Sequence, residues 1–231
     1  MANIKEIFLS IQGEGPYIGY RQVFIRFCGC NLDCQYCDTD FLVSDCKLEK
    51  VAGSNDFIYL KNPQKIEDLV QILNNFKDFH SISLTGGEPL CSVEFLKEFL
   101  PKIKYPIYLE TNGTLPKALS SVIDYIWAVS MDIKLPSSTN QKSYMDKHLE
   151  FIDVALSKNK EIFAKAVVTS KITDEEIIKL SEIASKIPLI IQPITTNDKS
   201  LIVDTATIFR ISDAISSARI IPQTHNYMGI L

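Results

Sequence analysis

The sequence lacks any run of 18 apolar residues, and its first ten residues, MANIKEIFLS, carry charges where a secretory signal needs an unbroken apolar stretch. We therefore expect a cytoplasmic protein with no membrane partner. A Pro/Gly/Ser-rich linker is also missing, so the 231 residues predict one domain spanning 1–231. The formal net charge of only -4 gives no general attraction for nucleic acid, and we expect no nucleic-acid partner.

Histidine is scarce, with three residues in the chain, and none accompanies the crowded cysteines. Four of the six cysteines fall within ten residues: Cys28, Cys30, Cys34 and Cys37. In a reducing cytosol such crowding favours metal binding over disulfide formation. Structural zinc with Cys28 or Cys46 as fourth ligand is one interpretation. Structural zinc usually takes paired CxxC segments or a nearby histidine, however, and neither is present.

The spacing of Cys30, Cys34 and Cys37 is CxxxCxxC, in a segment just after an apolar run at 21–27. A [4Fe–4S] cluster has four irons, so three cysteines leave one iron open to a ligand from outside the protein. S-adenosylmethionine (SAM) can chelate that iron through its amino and carboxylate groups and, on accepting one electron, release a 5′-deoxyadenosyl radical. We interpret Cys28, at the end of the apolar run, as a small buried residue rather than a ligand.

Short apolar runs alternate with segments of helical periodicity along the chain. The predicted strands cover 21–27, 81–85, 106–111, 126–133, 161–168, 188–194 and 217–222. Apolar residues between them recur at helical spacing, as at Ile66, Leu69, Val70 and Leu73. This alternation predicts an α/β fold, a partial or modified (β/α) barrel of about six βα units, with its site at the carboxyl ends of the strands. Residues 41–63 interrupt this alternation because they lack a sustained helical pattern, and we interpret them as a variable insertion.

Segments that end the predicted strands resemble the radical SAM superfamily. Thr85-Gly86-Gly87-Glu88-Pro89 resembles its GGEP motif and follows the CxxxCxxC segment by about fifty residues. The resemblance implies the radical SAM type of barrel, with a [4Fe–4S] cluster and SAM as cofactors. It assigns SAM binding to residues at the ends of strands: Thr85, Gly86, Gly87, Glu88, Ser130, Lys134 and Gln192.

Two further segments narrow the resemblance to the 7-carboxy-7-deazaguanine synthase family: Ile11-Gln12-Gly13-Glu14-Gly15 and Cys37-Asp38-Thr39. This implies a carbon–nitrogen lyase that converts 6-carboxy-5,6,7,8-tetrahydropterin into 7-carboxy-7-deazaguanine with loss of ammonia, in queuosine and deazapurine biosynthesis. It implies Mg²⁺ as a further cofactor, held by the hydroxyl of Thr39. It also implies flavodoxin or ferredoxin as electron donor, and a homodimer.

A pterin presents an amide and amino edge and a carboxylate, so its site needs hydrogen-bond acceptors and a cation. By resemblance, Glu14 and Glu110 suit the nitrogen-bearing edge, and Arg26 suits the carboxylate. The same pocket is expected to include Gln12, Gly15 and Asn112. The resemblance places the C-terminal tail, with His225, near this pocket and assigns that histidine no role.

Two other functions share part of this pattern. A glycyl-radical activating enzyme also carries CxxxCxxC, but it acts on a protein glycine, whereas the IQGEG and CDT segments favour a pterin pocket. A structural or electron-transfer metal protein is a non-enzymatic alternative, and it has no need of GGEP or of nucleoside-binding strand ends. Formation of 5′-deoxyadenosine separates that alternative from both enzymes.

Overall fold

The computed structural model describes residues 1–34, 43–194 and 201–230. In these ranges one sheet contains the strands β1 (Ile4–Ile11), β2 (Arg21–Phe27), β3 (Cys46–Glu49), β4 (Phe57–Leu60), β5 (Ser81–Gly86), β6 (Ile107–Thr111), β7 (Ala128–Ile133), β8 (Glu161–Val168), β9 (Leu189–Pro193) and β10 (Arg219–Ile220). The helices are α1 (Ile66–Asn74), α2 (Val93–Phe99), α3 (Pro116–Val122), α4 (Pro136–Thr139), α5 (Met145–Ser157), α6 (Asp174–Ala184), α7 (Thr205–Ala214) and α8 (Thr224–Met228). None of these helices is long and apolar enough to cross a membrane.

The strands lie in the order β10-β9-β8-β7-β6-β5-β2-β1-β3-β4. From β2 to β10 every neighbouring pair is parallel, and each connection between them contains at least one helix. The predicted partial barrel of about six βα units is therefore confirmed. The predicted strands 21–27 and 161–168 match β2 and β8, whereas the prediction 217–222 is too long, because only two residues pair with β9.

Three strands have no counterpart in the sequence prediction. β1 pairs antiparallel with β2 and parallel with β3, and β4 pairs antiparallel with β3. The segment 41–63 lacks a helical stripe because its described part forms this β3–β4 hairpin at the edge of the sheet. All ten strands share one sheet, and on that ground we retain as a proposal that 1–231 is a single domain with a variable insertion near 41–63.

Alternate residues of a strand point to opposite faces of the sheet. One face packs against the helices and forms the main core, which includes Ile25, Ile82, Leu84, Leu109, Val129 and Leu180. The opposite face, called the inner face below, carries Ser83, Glu110 and Lys165. Glu14, which follows β1, forms an ion pair with Lys165 of β8 although four strands lie between β1 and β8. Such a contact requires the sheet to curve around its inner face.

An aromatic cluster fills the inner face toward the amino ends of the strands. The Tyr17 ring lies 5.5 Å from that of Tyr108 and 5.0 Å from that of Trp127, measured between centroids. Tyr108 and Phe163 are buried in the same cluster together with Ile190. Glu110 and Asp132, two charged side chains of the inner face, lie beyond this apolar layer, near the carboxyl ends of β6 and β7.

The loop after β7 is tied to the start of α6. Thr173 and Glu176 form a capping box there: the Glu176 N–H donates to Thr173 Oγ1 at 3.2 Å, and the Thr173 N–H donates to Glu176 Oε2 at 2.9 Å. Glu176 Oε1 also accepts the N–H of Ser137 at 2.9 Å. The capping residue of α6 therefore fixes the loop that follows Lys134.

Candidate functional site

Two of the three predicted cluster cysteines, Cys30 and Cys34, lie in the loop after β2. Cys30 and Cys34 are partly exposed and line one cavity together with Gly86, Gly87 and Lys134. Cys37 lies outside the described residues, as does Thr39, the predicted Mg²⁺ ligand, so the structure gives neither a position. Accordingly, the part of the chain that is described contains no group of three His, Cys, Asp or Glu side chains arranged to hold a metal ion. Two thiols facing one cavity fit the soft ligand set of an iron–sulfur cluster.

Gly86 and Gly87 allow the end of β5 to lie directly against the cysteine loop. The Gly87 N–H donates to the Phe27 carbonyl, and the Glu88 N–H donates to the Gly29 carbonyl, both at 2.9 Å. A Cβ on Gly87 would stand 1.8 Å from the Gly29 oxygen. Gly86 has φ +97° and a Cβ there would stand 2.7 Å from the Phe27 backbone. No other residue fits either position without moving the cysteine loop.

Glu88 joins the ends of β5 and β6. Its Oε1 accepts the Leu90 N–H at 3.0 Å and the Thr111 hydroxyl at 2.9 Å, and its Oε2 accepts the Asn112 N–H at 2.7 Å. Burial raises the pKa of Glu88 to about 7, against the opposing effect of these donors. The side chain is fully buried. Glu88, predicted to bind SAM, is therefore placed to position the backbone around the cavity.

Asn112 faces the cysteine loop. Its Nδ2 donates to Asn31 Oδ1 at 2.8 Å and approaches Cys30 Sγ at 3.8 Å. The Thr114 hydroxyl donates to Asn112 Oδ1 at 2.6 Å and accepts from Asn31 Nδ2 at 2.8 Å. Asn112 was predicted to bind substrate, and the structure places it where it orients Cys30. Below, residues 28–34, 86–88 and 111–114 are called the cluster side.

The remaining predicted SAM residues occupy different depths. Lys134 borders the cavity and forms an ion pair with Asp132 at 3.2 Å. Thr85 also borders it and donates to Glu110 Oε2 at 2.9 Å. Ser130 is fully buried, and Gln192 donates to Glu14 rather than reaching the cysteine loop. Of these four, the structure brings Thr85 and Lys134 together with the cysteines.

Glu110 stands at the centre of the inner face, on β6. Its Oε1 accepts from Gln12 Nε2 at 2.8 Å and from the Ser83 hydroxyl at 3.2 Å. Gln12 is held in turn by Gln22 Oε1 at 3.0 Å. Glu110 also lines the cavity that contains the cysteines. Gln12 and Glu110, predicted to share a pocket from segments almost one hundred residues apart, are in direct contact.

Glu14 is held by three donors from three elements. Lys165 of β8 forms an ion pair with Oε2, while Gln192 of β9 donates to Oε1 at 3.1 Å and Gln223 at 2.8 Å. Burial alone would raise the pKa of Glu14, but Lys165, Gln223 and His225 outweigh it and lower the pKa to about 2. Glu14 is therefore ionised at neutral pH. Gly15, beside it, has φ +65° and packs against the Phe163 ring.

Arg26 lies on the inner-face side of β2, next to Thr85 of β5. Its guanidinium forms an ion pair with Glu6 at 3.2 Å and lies 5.0 Å from the centroid of the Phe8 ring. About a third of its side chain is exposed. A guanidinium in this position can pair with a carboxylate that enters from the carboxyl ends of the strands.

The C-terminal segment covers the loop of Glu14. Both the N–H and the hydroxyl of Thr224 donate to the Gly13 carbonyl at 2.9 Å. His225 packs so closely that a Cβ on Gly13 would stand 2.4 Å from its Nδ1. Together with the Gln223 bond to Glu14, these contacts place the tail at the inner-face site, as expected.

The other three described cysteines, Cys28, Cys46 and Cys91, do not line the cavity that contains Cys30 and Cys34. Cys28 and Cys46 are buried, and burial raises the pKa of the Cys46 thiol to about 12. Cys91 is exposed, and partial burial of its thiol, with Glu88 nearby, raises its pKa to about 11. Burial also raises the pKa of the Cys30 thiol, so Cys30 and Cys34 are distinguished from these cysteines by lining the cavity.

Sequence reasoning missed several residues of the site. Lys165, Asp132 and Gln223 were not predicted, although each contacts a predicted residue. A lysine within the apolar run EIFAKAVV was an available signal, because a charge inside a buried strand needs a partner.

The site residues on the inner face, called the inner-face network below, are Gln12, Glu14, Glu110, Asp132, Lys165 and Gln192.

Known proteins similar to this chain fall in one family. Residues 24–184 match the family model described as the Radical SAM superfamily. The chain is 38% identical over 247 residues to a 7-carboxy-7-deazaguanine synthase of Geobacter sulfurreducens, covering 100% of this chain and 98% of the relative. It is 35% identical over 249 residues to one of Methanocaldococcus jannaschii, covering 99% and 100%. Among solved structures, QueE from Escherichia coli has a similar fold, with a TM-score of 0.63, 24% identity, and coverage of 97% of this chain and 94% of that chain.

Proposed function

This chain belongs to the radical SAM superfamily and, within it, to the 7-carboxy-7-deazaguanine synthase family, and we propose that it converts 6-carboxy-5,6,7,8-tetrahydropterin into 7-carboxy-7-deazaguanine with loss of ammonia. One observation carries the proposal. The cavity that contains Cys30 and Cys34 is also lined by Glu110 and Asp132 of the inner-face network. A cluster held by these cysteines would therefore supply its radical chemistry next to acceptors suited to a small nitrogen-rich molecule.

On the cluster side, Cys30, Cys34 and Cys37 would hold the [4Fe–4S] cluster. The cluster and SAM, when bound, supply a 5′-deoxyadenosyl radical by one-electron cleavage. Lys134 offers an ammonium to the carboxylate of SAM, and the backbone at Gly86 and Gly87 borders the same cavity. Asn112 and Asn31 orient the Cys30 loop.

On the inner face, Glu14 and Glu110 would accept hydrogen bonds from the amide and amino edge of the pterin. Each carboxylate already accepts three protein donors, so each offers one further lone pair to the substrate. Arg26 would pair with the pterin carboxylate, sharing its guanidinium with Glu6. The aromatic layer around Tyr108 closes the pocket below and keeps water from the amino ends of the strands.

Further parts of the proposal come from family membership alone. They are Mg²⁺ on Thr39, an electron donor of the flavodoxin or ferredoxin type, a homodimer, and a place in the cytoplasm within queuosine or deazapurine biosynthesis. Hard Mg²⁺ takes few protein oxygens and keeps waters, which a single threonine hydroxyl allows. A Mg²⁺ titration of steady-state rates in Thr39→Ala tests the metal assignment.

The decisive experiment is anaerobic reconstitution with iron, sulfide and a chemical reductant, followed by incubation with SAM and carboxytetrahydropterin. We expect both 5′-deoxyadenosine and 7-carboxy-7-deazaguanine. Nucleoside formation without the deazaguanine would leave the radical chemistry intact and overturn the substrate. Absence of both products, with the cluster present by absorbance, would overturn the enzyme assignment.

Cysteine variants test the three-ligand cluster separately. Cys30→Ala, Cys34→Ala and Cys37→Ala should each abolish nucleoside cleavage, while Cys28→Ala, Cys46→Ala and Cys91→Ala should retain it. Cys91→Ala is the matched control, because this exposed thiol lies near Asn31 in the same region. If Cys28→Ala loses iron as completely as Cys34→Ala, the arrangement with one open iron is wrong.

A further inference from the structure

Lys165 is a buried ammonium in the middle of β8. Only 3% of its side chain is exposed, yet it contacts two carboxylates, Glu14 Oε2 and Asp132 Oδ1, the latter at 3.3 Å. Burial lowers the pKa of Lys165, but Asp132, Glu14 and Glu110 outweigh this effect and raise the pKa well above its usual value. The ammonium is therefore charged at every pH at which an enzyme of this class works.

Lys165 stands in a row of alternating charges across the inner face. Asp132 shares its carboxylate between two lysines, with Oδ1 toward Lys165 and Oδ2 toward Lys134. The row therefore runs Glu14, Lys165, Asp132, Lys134, from the pterin pocket of the proposed function to the cavity of the cysteines. Removing Lys165 would leave Asp132 with Lys134, but it would take away the ammonium that contacts Glu14 and leave the neutral amides of Gln192 and Gln223 as its hydrogen-bond donors.

We propose that Lys165 is a positioning residue for the substrate, which acts through Glu14 by holding its carboxylate ionised and turned so that one lone pair faces the pterin. This inference rests on the proposed function for the identity of the substrate. It assigns Lys165 a role that differs from the role of an ion pair within a core. A core pair is enclosed on all sides, whereas Glu14 and Asp132 retain 15% and 30% exposure, and Asp132 lines the cavity of the cysteines.

Asp132 has two lysine partners in the row of charges, whereas Glu14 has one. Loss of Lys165 should therefore weaken binding of the pterin more than binding of SAM. Truncating one partner of a buried, hydrogen-bonded charge pair weakens binding on the order of 30-fold or more. Lys165→Met, which keeps an unbranched side chain without the charge, should therefore raise KM for pterin on the order of 30-fold. KM for SAM and cluster absorbance should change less than about twofold, because Asp132 keeps Lys134. Lys165→Arg, which keeps the charge, should recover most of the pterin affinity.

A double-mutant cycle tests whether Lys165 acts through Glu14. In a Glu14→Gln background position 14 has no carboxylate that needs a counter-charge, and Asp132 keeps Lys134, so adding Lys165→Met should raise KM for pterin less than about threefold. Lys179→Met is the matched control, because that lysine forms an exposed pair with Glu175 on α6, and it should leave both KM values unchanged. The double variant Glu14→Gln with Lys165→Met has no unpaired charge at this pair. Its KM for pterin can therefore be measured even if Lys165→Met alone folds poorly.

The outcomes separate this inference from the proposed function. If the wild-type enzyme does not turn over the pterin, the proposed function fails before Lys165 is tested. If the wild type turns it over and Lys165→Met keeps the wild-type KM, the positioning role is refuted. If Lys165→Met raises KM for pterin by the same factor in the wild-type and Glu14→Gln backgrounds, Lys165 acts independently of Glu14. That result would also overturn the positioning role.

Discussion

The cluster side and the inner-face network both contribute residues to one cavity, and different interactions hold their side chains in place. On the cluster side the close contacts are between backbone groups, such as the Gly87 N–H with Phe27 and the Glu88 N–H with Gly29, supported by amide side chains. In the inner-face network the contacts are between charges on separate strands, such as Lys165 with Glu14 and Asp132. The cluster side should therefore be sensitive to added volume, and the inner-face network should be sensitive to lost charge.

The largest expected effect comes from adding volume on the cluster side. Gly87→Ala places a methyl group 1.8 Å from the Gly29 oxygen, so the cysteine loop must move away from β5. We expect iron content after reconstitution to fall below about a tenth of the wild-type value, because the cysteines no longer converge.

Gly53→Ala is the control for this change. A Cβ on Gly53 meets open space, so an alanine there is strained only by the backbone φ of +73°. Iron content should therefore stay at the wild-type value. Equal iron loading of Gly87→Ala and wild type would show that the close backbone approach is not needed for the cluster.

The next effect comes from lost charge at the inner face. Arg26→Ala removes the cation proposed for the pterin carboxylate, and a misplacement of about 1 Å can cost on the order of a hundredfold in rate. We expect kcat/KM for pterin to fall about a hundredfold, while cluster absorbance and nucleoside formation without pterin persist. Arg21→Ala, an exposed arginine of the same strand, is the control. Wild-type kinetics in Arg26→Ala would refute the substrate assignment.

An intermediate effect is expected where a carboxyl group supports the cluster side. In Glu88→Gln an NH2 group replaces one of the two carboxylate oxygens, so the N–H of either Leu90 or Asn112 loses its buried acceptor. At pH 5, below the raised pKa of Glu88, the substitution removes no buried charge, and the lost acceptor should destabilise the protein by about 2 kcal/mol. Urea midpoints of the iron-free protein measure it, with exposed Glu94→Gln as control. An unchanged midpoint would show that Glu88 is not a structural brace.

The smallest effect concerns pH and the cluster side. His148 is fully buried behind Gly113, its Nε2 lies 3.2 Å from the Asn112 carbonyl, and burial lowers its pKa from 6.5 to about 4. Between pH 6.5 and 4 the unfolded chain therefore binds a proton that the folded chain does not. The free energy of unfolding should fall by about 2 kcal/mol from this group as pH decreases from 7 to 5.

The pH experiment compares His148→Gln with wild type. The amide can still donate to the Asn112 carbonyl, and it does not titrate, so this loss of stability at acid pH should disappear from the variant. Glu88 contributes with the opposite sign, since its raised pKa reduces stability as pH rises from 4.5 to 7. The difference between the two pH curves isolates His148, and parallel curves would contradict its assignment as a buried neutral base.

Much of the site could be predicted because its residues end strands whose periodicity is plain. The run 21–27 is followed by the cysteines, 81–85 by the two glycines and 106–111 by Asn112, and parallel strands bring such ends to one edge. Asn112 shows the limit of this reasoning. Its position in the chain is the same for a substrate contact or for a contact with Asn31, and only packing distinguishes them.

The sequence by itself determined the alternation of strands and helices, the cysteine spacing and the order of the motifs, because these depend on local periodicity and on residues close along the chain. The tertiary structure decided which distant groups meet. Glu14 receives donors from Lys165, Gln192 and Gln223, residues at least 150 positions away, because the sheet curves and the C-terminal segment folds back over its inner face. Such contacts depend on curvature and strand order, which no local pattern records, and they give Glu14 the charge and orientation that the proposed chemistry requires.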